Sequence, residues 1–238
     1  MKYTVVIPAA GQGKRMKAGH NKQFLMLEDR PLIVHTVSVF EQDPWCERII
    51  VVANDDETGP MNTLFKKWNV SKIEHIVTGG QERQDSVFEG LKKADGSDDA
   101  IVLVHDGARP FVTEDHIHEL VLKASEQGAA VIGLRMKDTV KKVADGVVTE
   151  TIERSSVWSV QTPQAFQFSV VYDAYQKAEE DQFRGTDDTS LVERMNVPVH
   201  IVEGGYDNIK LTTPEDMVVA KAILKKRRGK GSENRTWV

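Results

Sequence analysis

A single cysteine, Cys46, stands among 238 residues. No disulfide can form within the chain, and a reducing cytoplasm is the expected setting. Long apolar runs are equally scarce. The opening "MKYTVVIPAAG" is interrupted by glycines and lysines after a few apolar residues. It reads as a core strand rather than a signal peptide, and nothing further along approaches membrane-spanning length. A basic surplus is also missing. The formal net charge is -5, which argues against a broad nucleic-acid footprint, because such a surface must displace counterions from phosphates. Any anionic ligand has to be met by a local cluster of cations.

Several familiar motifs are absent as well. A Walker A loop fails twice: Pro8 stands where its first glycine belongs, and Arg15 follows Gly13-Lys14. The dinucleotide fingerprint begins with Gly11 and Gly13 but ends on Met16, where close strand–helix packing demands glycine. That weakens a dehydrogenase reading. No G-x-S-x-G elbow offers a nucleophilic serine. His116 and His118 are two apart on an expected helix and point in different directions, so they cannot chelate one ion.

What is present is a regular alternation. Apolar, β-rich runs recur at Tyr3–Ala9, Arg48–Asn54, Ile73–Gly79, Ala100–Asp106, Ala129–Leu134 and Val199–Gly204. Between most of them lie helical patterns. One opens at Pro31 with Ile33, Val34, Val37 and Phe40 on one face. Another runs from the cap Thr113 to Gly128, and a last one begins at Thr213-Pro214 and ends in "KKRR". The pattern predicts one α/β domain over residues 1–238, Rossmann-like, with a mostly parallel sheet and helices on both faces. One segment, at about 137–158, breaks the alternation. Its β-branched runs flank Asp145-Gly146, the dipeptide of a type I′ hairpin. Such an arm lacks a core of its own and needs a surface to pack on, for which a second subunit is an obvious candidate. The polar tail at about 227–238 is expected to fray.

Five stretches carry candidate chemistry. "PAAGQGKRM" followed by "NKQF" gathers Gly11, Gly13, Lys14, Arg15 and Lys22 after the first strand. Bare backbone amides and cations of this kind can wrap a phosphate. "GGQERQDSV" puts Gly79, Gly80, Gln81 and Ser86 at a strand end entering a helix, and "VHDGARPF" puts Asp106 and Arg109 at another strand end. In open parallel sheets ligands bind at the carboxyl ends of strands. "GTDDTSLVE" offers Thr186 as a helix cap, and "DNIKLTTPED" offers Asp207 and Lys210. Read singly, each also fits an ordinary turn, cap or solvated charge pair.

Together, and with "QTPQAF", these stretches occur in the order seen in 2-C-methyl-D-erythritol 4-phosphate cytidylyltransferases, and the chain resembles that family from about Val5 to about Lys221. The related ribitol 5-phosphate cytidylyltransferases tend to begin Leu-Ala-Gly-Gly. Pro8-Ala9-Ala10-Gly11 and Gln84-Asp85-Ser86-Val87 side with the methylerythritol family. One departure is Asn21, where many members carry proline, an exchange expected to loosen the loop while leaving Lys22 in place.

The resemblance implies cytidylyl transfer from CTP to methylerythritol phosphate with release of pyrophosphate, aided by Mg²⁺ or another divalent cation held mainly by the CTP phosphates. It implies that Arg15 and Lys22 stabilise charge at the α-phosphate. Lys210 and Arg154 place the second substrate, with Asp106, Arg109, Thr162 and Thr186 as further contacts. It implies that Pro8, Ala9, Ala10, Gly11, Gly13, Lys14, Gly79, Gly80, Gln81, Ser86 and Asp106 hold the nucleotide. A cytoplasmic homodimer that exchanges its arms, without nucleic-acid or membrane partners, is expected. A ribitol phosphate enzyme or a nucleotide sensor without turnover are the alternatives.

Overall fold

The computed structural model describes residues 1–11, 16, 21–94 and 96–233. The chain opens with β1 (Tyr3–Pro8), β2 (Met26–Leu27), β3 (Arg30–Pro31), α1 (Leu32–Gln42) and β4 (Cys46–Ala53). There follow α2 (Thr58–Lys67), β5 (Ile73–Thr78), α3 (Arg83–Leu91), β6 (Ile101–Val104), α4 (Glu114–Gln127) and β7 (Ala129–Arg135). The arm strands β8 (Lys141–Ala144) and β9 (Val147–Thr151) precede β10 (Trp158–Gln167), α5 (Phe168–Glu180), α6 (Asp188–Arg194), β11 (His200–Glu203) and α7 (Pro214–Glu233).

Seven strands form the main sheet in the order β11-β7-β10-β6-β1-β4-β5. All neighbours are parallel except β10, which runs antiparallel to both β6 and β7. The alternation of side chains divides the core between two faces. Val5 and Ile7 of β1 pack with Ile33, Val37 and Phe40 of α1 and with Ile117 and Leu120 of α4. Val6 points the other way, to Val87 and Leu91 of α3 and Val171 and Tyr175 of α5. Helices therefore cover both faces, as the apolar strand runs predicted.

The six expected strands are all present, and β10 is an addition. It was not legible as a core strand because Pro163 interrupts it, and proline ordinarily argues against a central strand. Here the pairing with β7 shifts register between Val160 and Gln164, so the proline sits where the ladder is already broken. Asp145 and Gly146 adopt φ of 50° and 79°, the two positive values that a type I′ turn requires. The arm strands are exposed along their length, with Val143, Val147 and Val148 each more than half accessible.

The tail departs from expectation. Helix α7 continues through Glu233 instead of fraying from about residue 227. Arg227 donates to the Phe111 carbonyl (2.5 Å), and Arg228 pairs with Glu28 (2.7 Å), so the basic turn is fastened to the body. Residues 234–238 lie outside the described residues.

Candidate active site

At β1 and β6 the chain changes direction across the sheet: β4 and β5 extend one way, β6 and β10 the other. Ligands of open α/β sheets bind outside the strand ends at such a switch point. A cavity of about 590 Å³ opens there, lined by the end of β1, by Asn54 after β4, by the turn into α3 and by Asp106–Ala108 after β6. No described helix is long and apolar enough to cross a membrane.

Of the residues singled out from the sequence, Pro8, Ala10, Gly11, Lys22, Gly80, Gln81, Ser86, Asp106 and Lys210 line this cavity. Ala9 and Gly79 do not line it but are sequence neighbours of residues that do. A Cβ on Gly79 would come within 2.6 Å of the Ser86 hydroxyl oxygen and 3.1 Å of the Ala10 side chain. The two loops can close on one another only because this position is glycine. Gly13, Lys14 and Arg15 lie outside the described residues.

Lys22 follows Asn21 on a short 3₁₀ turn, Lys22–Phe24. The Asn21 amide donates to the Ala9 carbonyl (3.0 Å) and to Glu57 (2.7 Å), while its oxygen accepts from the Gln23 amide (3.0 Å). The exchange for proline thus supplies side-chain tethers instead of loosening the loop at this end. From that base the Lys22 ammonium donates to the Leu211 carbonyl (2.9 Å), next to Lys210. Two lysines far apart in sequence meet on one wall.

Asp106 organises the charges beside them. Its carboxylate takes Lys210 at 2.8 Å, Arg83 at 3.3 Å and Arg109 at 3.5 Å. Burial alone would raise its pKa, but Arg83, Lys210 and Arg109 outweigh that and hold it well below the usual carboxylate range. A carboxylate so firmly ionised and so fully paired is a poor proton acceptor. Arg109 does not reach the cavity lining; it stands behind Asp106 and donates to the Asn208 carbonyl (2.8 Å), steadying the loop that carries Lys210.

Thr162 is likewise buried behind the site. The Asp106 amide donates to its hydroxyl (3.0 Å), which lies 3.3 Å from His105 Nδ1. His105 Nε2 is 2.9 Å from the Arg109 carbonyl, which can only accept. The proton therefore sits on Nε2, and Nδ1 accepts from Thr162. Burial depresses the His105 pKa to about 4, outweighing the Arg109 carbonyl and the Asp106 carboxylate, which favour the charged ring. The neutral imidazole thus links Asp106 to Arg109.

A pH dependence follows with a definite sign. The unfolded histidine takes up its proton near pH 6.5 and the folded one only near 4, so the unfolded chain binds more protons in between. This stabilisation is complete above about pH 6.5 and is lost as pH falls toward 4, a change on the order of 3 kcal/mol. Proton NMR of the His105 ring should show no titration at pH 6.5; a midpoint there would contradict the assignment.

Thr186 and Arg154 lie elsewhere in this chain. Thr186 is exposed, and the cap of α6 is Asp187, whose side chain accepts from the Ser190 amide in a reciprocal capping box. Neither Thr186 nor Arg154 lines the cavity. Arg154 sits just past the arm, where it donates to the Lys137 carbonyl (2.7 Å).

Six lining residues were not anticipated: Gln23, Asn54, Glu82, Arg83, Gly107 and Ala108. Each is a sequence neighbour of a residue that was, or of a strand end. Arg83 is the most consequential. In the first turn of a helix it reads as a solvated charge, yet it bridges Asp106 and the buried Asp188.

Divalent-cation binding can be tested against the donors present. Asp106 is engaged by three cations, and the Glu82 side chain joins Asp85 in the capping box of α3. The cavity therefore fits a cation carried in by phosphate oxygens better than one chelated by protein carboxylates. Among the described residues, Asp43, Glu114 and His118 bring ligand atoms within 4.8 Å of one another. They lie at the amino ends of the strands, away from the cavity. Asp43 already accepts from Tyr3, the Trp45 amide and His118, while His116 pairs with Thr113.

Residues 3–226 match the family model described as 2-C-methyl-D-erythritol 4-phosphate cytidylyltransferase. The protein of that name from Halalkalibacterium halodurans is 54% identical over 224 residues, covering 94% of this chain and 97% of the relative. The one from Bacillus licheniformis is also 54% identical, over 94% and 96% of the two chains. Among solved structures, the 4-diphosphocytidyl-2C-methyl-D-erythritol synthase of Anaerococcus prevotii superposes with a TM-score of 0.82 at 32% identity, over 94% of this chain and 96% of that one. The 2-C-methyl-D-erythritol 4-phosphate cytidylyltransferase of Thermus thermophilus gives 0.79 at 30% identity, over 94% and 100%.

Proposed function

This chain belongs to the 2-C-methyl-D-erythritol 4-phosphate cytidylyltransferase family, and from that premise we propose that it transfers the cytidylyl group of CTP to 2-C-methyl-D-erythritol 4-phosphate, releasing pyrophosphate, in non-mevalonate isoprenoid synthesis. The observation that carries the reading is a cavity with cations and bare backbone and, among the described residues, no poised base. Lys22 and Lys210 line it, and its central carboxylate is held ionised and paired. Such a site suits a nucleophile that needs no deprotonation, and a phosphate oxygen is already ionised at neutral pH.

The substrate phosphate attacks the α-phosphorus in line, with pyrophosphate leaving from the opposite side. The chain's part is positioning and charge stabilisation. Pro8–Gly11 and the Gly79–Ser86 turn cradle cytosine and ribose, where the close approach of the two loops leaves room for a pyrimidine. Lys22, with Arg15 and Lys14 of the preceding loop and the amide of Gly13, faces the triphosphate. Lys210, held by Asp106, faces the second substrate. A divalent cation supplies neutralisation of the triphosphate when it is bound with CTP.

The exposed arm supports a cytoplasmic homodimer in which each arm crosses to the other subunit. Arg154 then serves the partner's cavity, Thr186 meets the second substrate from its own chain, and Thr162 acts from behind the site by holding the Asp106 amide. The function is tested by mixing the protein with CTP, a magnesium salt and either methylerythritol phosphate or ribitol 5-phosphate. Pyrophosphate should appear far faster with the former. Equal or reversed preference would defeat the substrate assignment, and CTP binding without pyrophosphate would make the protein a sensor.

A further inference from the structure

We propose that Asp188 is a positioning residue that keeps Arg83 from capturing Asp106 and so leaves Asp106 available to orient Lys210; this inference rests on the reaction proposed above. Asp188 is fully buried at the start of α6. Its oxygens accept from Arg83 Nη1 and Nη2 at 2.8 Å each, and Oδ1 also accepts from the buried Tyr175 hydroxyl at 2.5 Å. The guanidinium fork is thereby spent on Asp188, in the bidentate geometry that arginine makes with a carboxylate. The Nε–H, outside that fork, reaches Asp106 Oδ1 at 3.3 Å.

The division of Asp106 follows from this. Oδ1 faces Arg83, while Oδ2 takes Lys210 at 2.8 Å and Arg109 at 3.5 Å. Arginine with a free fork would be drawn to Asp106 as the nearest remaining carboxylate and could take both of its oxygens. Lys210 would then lose the contact that aims it into the cavity. Asp188 prevents the exchange by offering Arg83 a better partner on the side away from the cavity.

The surrounding contacts show that this pair sits on a deliberate junction between two parts of the site. Gln84 donates to the Phe183 carbonyl and accepts from the Gly185 amide, both at 3.0 Å. Arg184 pairs with Asp85. The first turn of α3, which contributes Arg83 and Ser86 to the cavity, is therefore fixed to the segment that carries Thr186 and Asp188. A surface salt bridge would contribute little to such a junction. Arg83 is different: its side chain is only 32% exposed and its partner not at all.

The test uses the full-length protein with steady-state kinetics in both substrates. Asp188→Asn should lower kcat and raise KM for methylerythritol phosphate, with a combined loss of roughly 10- to 100-fold, as expected for misplacement of a substrate-orienting group. KM for CTP should change less than KM for the sugar phosphate, because the Gly79–Ser86 turn stays tied through Gln84 to Phe183 and Gly185. Adding Arg83→Gln to Asp188→Asn should recover much of the loss, since no free guanidinium then competes for Asp106. A merely structural role predicts the reverse, a double variant at least as impaired as the single one.

If Asp188→Asn does not fold, Asp188→Glu keeps the charge while displacing the fork by one methylene, and it should raise KM for the sugar phosphate selectively. Folded variants with unchanged KM for the sugar phosphate, or with both KM values raised alike, would overturn the proposal. A crystal structure of Asp188→Asn provides a readout independent of turnover. Arg83 should contact both oxygens of Asp106, and Lys210 should have left it; an intact Lys210–Asp106 contact would refute the inference. Absence of pyrophosphate release by the unmodified protein would instead refute the reaction, and the structural readout would still decide the role of Asp188.

Discussion

Replacing Lys22 by alanine should lower turnover by roughly 10²–10³ while leaving CTP affinity much less affected, the loss expected for one preorganised charge donor at a phosphorus that gains negative charge. The side chain is well placed for that role. Its base is anchored through Asn21 to the end of β1, and its ammonium is held at the Leu211 carbonyl on the cavity wall. A carbonyl is a neutral partner and does not cancel the ammonium's charge. Interaction that strengthens in the transition state appears in kcat, whereas interaction equal in both states appears in KM. Steady-state kinetics with CTP varied at saturating sugar phosphate distinguishes them. A variant that keeps its turnover and only needs more CTP would show that Lys22 binds the nucleotide and does not stabilise the reacting phosphorus.

Two chains that are each nearly inactive should restore activity when mixed. The expectation concerns Lys22→Ala and Arg154→Ala and rests on the arm. Arg154 does not line the cavity of its own chain, and the hairpin just before it is exposed throughout. An isolated two-stranded hairpin is marginally stable at best, so it needs a surface, and the arm valines offer an apolar one. If each arm crosses to the partner, every site combines Lys22 of one chain with Arg154 of the other. A mixed dimer then has one site lacking both residues and one with both intact. Subunit exchange between the two variants should bring back activity up to one working site per mixed dimer, measured as pyrophosphate release. No recovery, with exchange verified by differently tagged subunits, would place Arg154 in its own chain's site or in none.

The parts of this protein that local chemistry controls could be read from its residues in order. Apolar runs at Tyr3, Arg48, Ala100 and Ala129 became inner strands, buried over most of their length, and those at Ile73 and Val199 became the two edge strands of the sheet. The Asp145-Gly146 turn formed because both positions accept positive φ. The loops that line the cavity were legible for a related reason. Gly80 and Asp106 lie just beyond strand ends, and Ser86 and Lys210 lie in the connections that follow strands, on the side of the sheet where ligands bind.

What the order of residues did not disclose depends on partners distant along the chain. Arg83 looks like any charge in a first helical turn until β6 and α6 bring Asp106 and Asp188 to it. Thr162 resembles a substrate contact, but its hydroxyl is occupied by the Asp106 amide and His105. Strand β10 was hidden because Pro163 breaks its pattern, and only the shifted pairing with β7 shows how the sheet accommodates it. The basic end of α7 looked frayed because the acceptors of Arg227 and Arg228, the Phe111 carbonyl and Glu28, lie more than a hundred residues earlier. Backbone preference and hydrophobic periodicity act over a few residues, so sequence alone determined most of the elements, the fold class and the neighbourhood of the site. Electrostatic pairing acts across the fold, so only the tertiary structure decided which charges face the cavity and which are spent on one another.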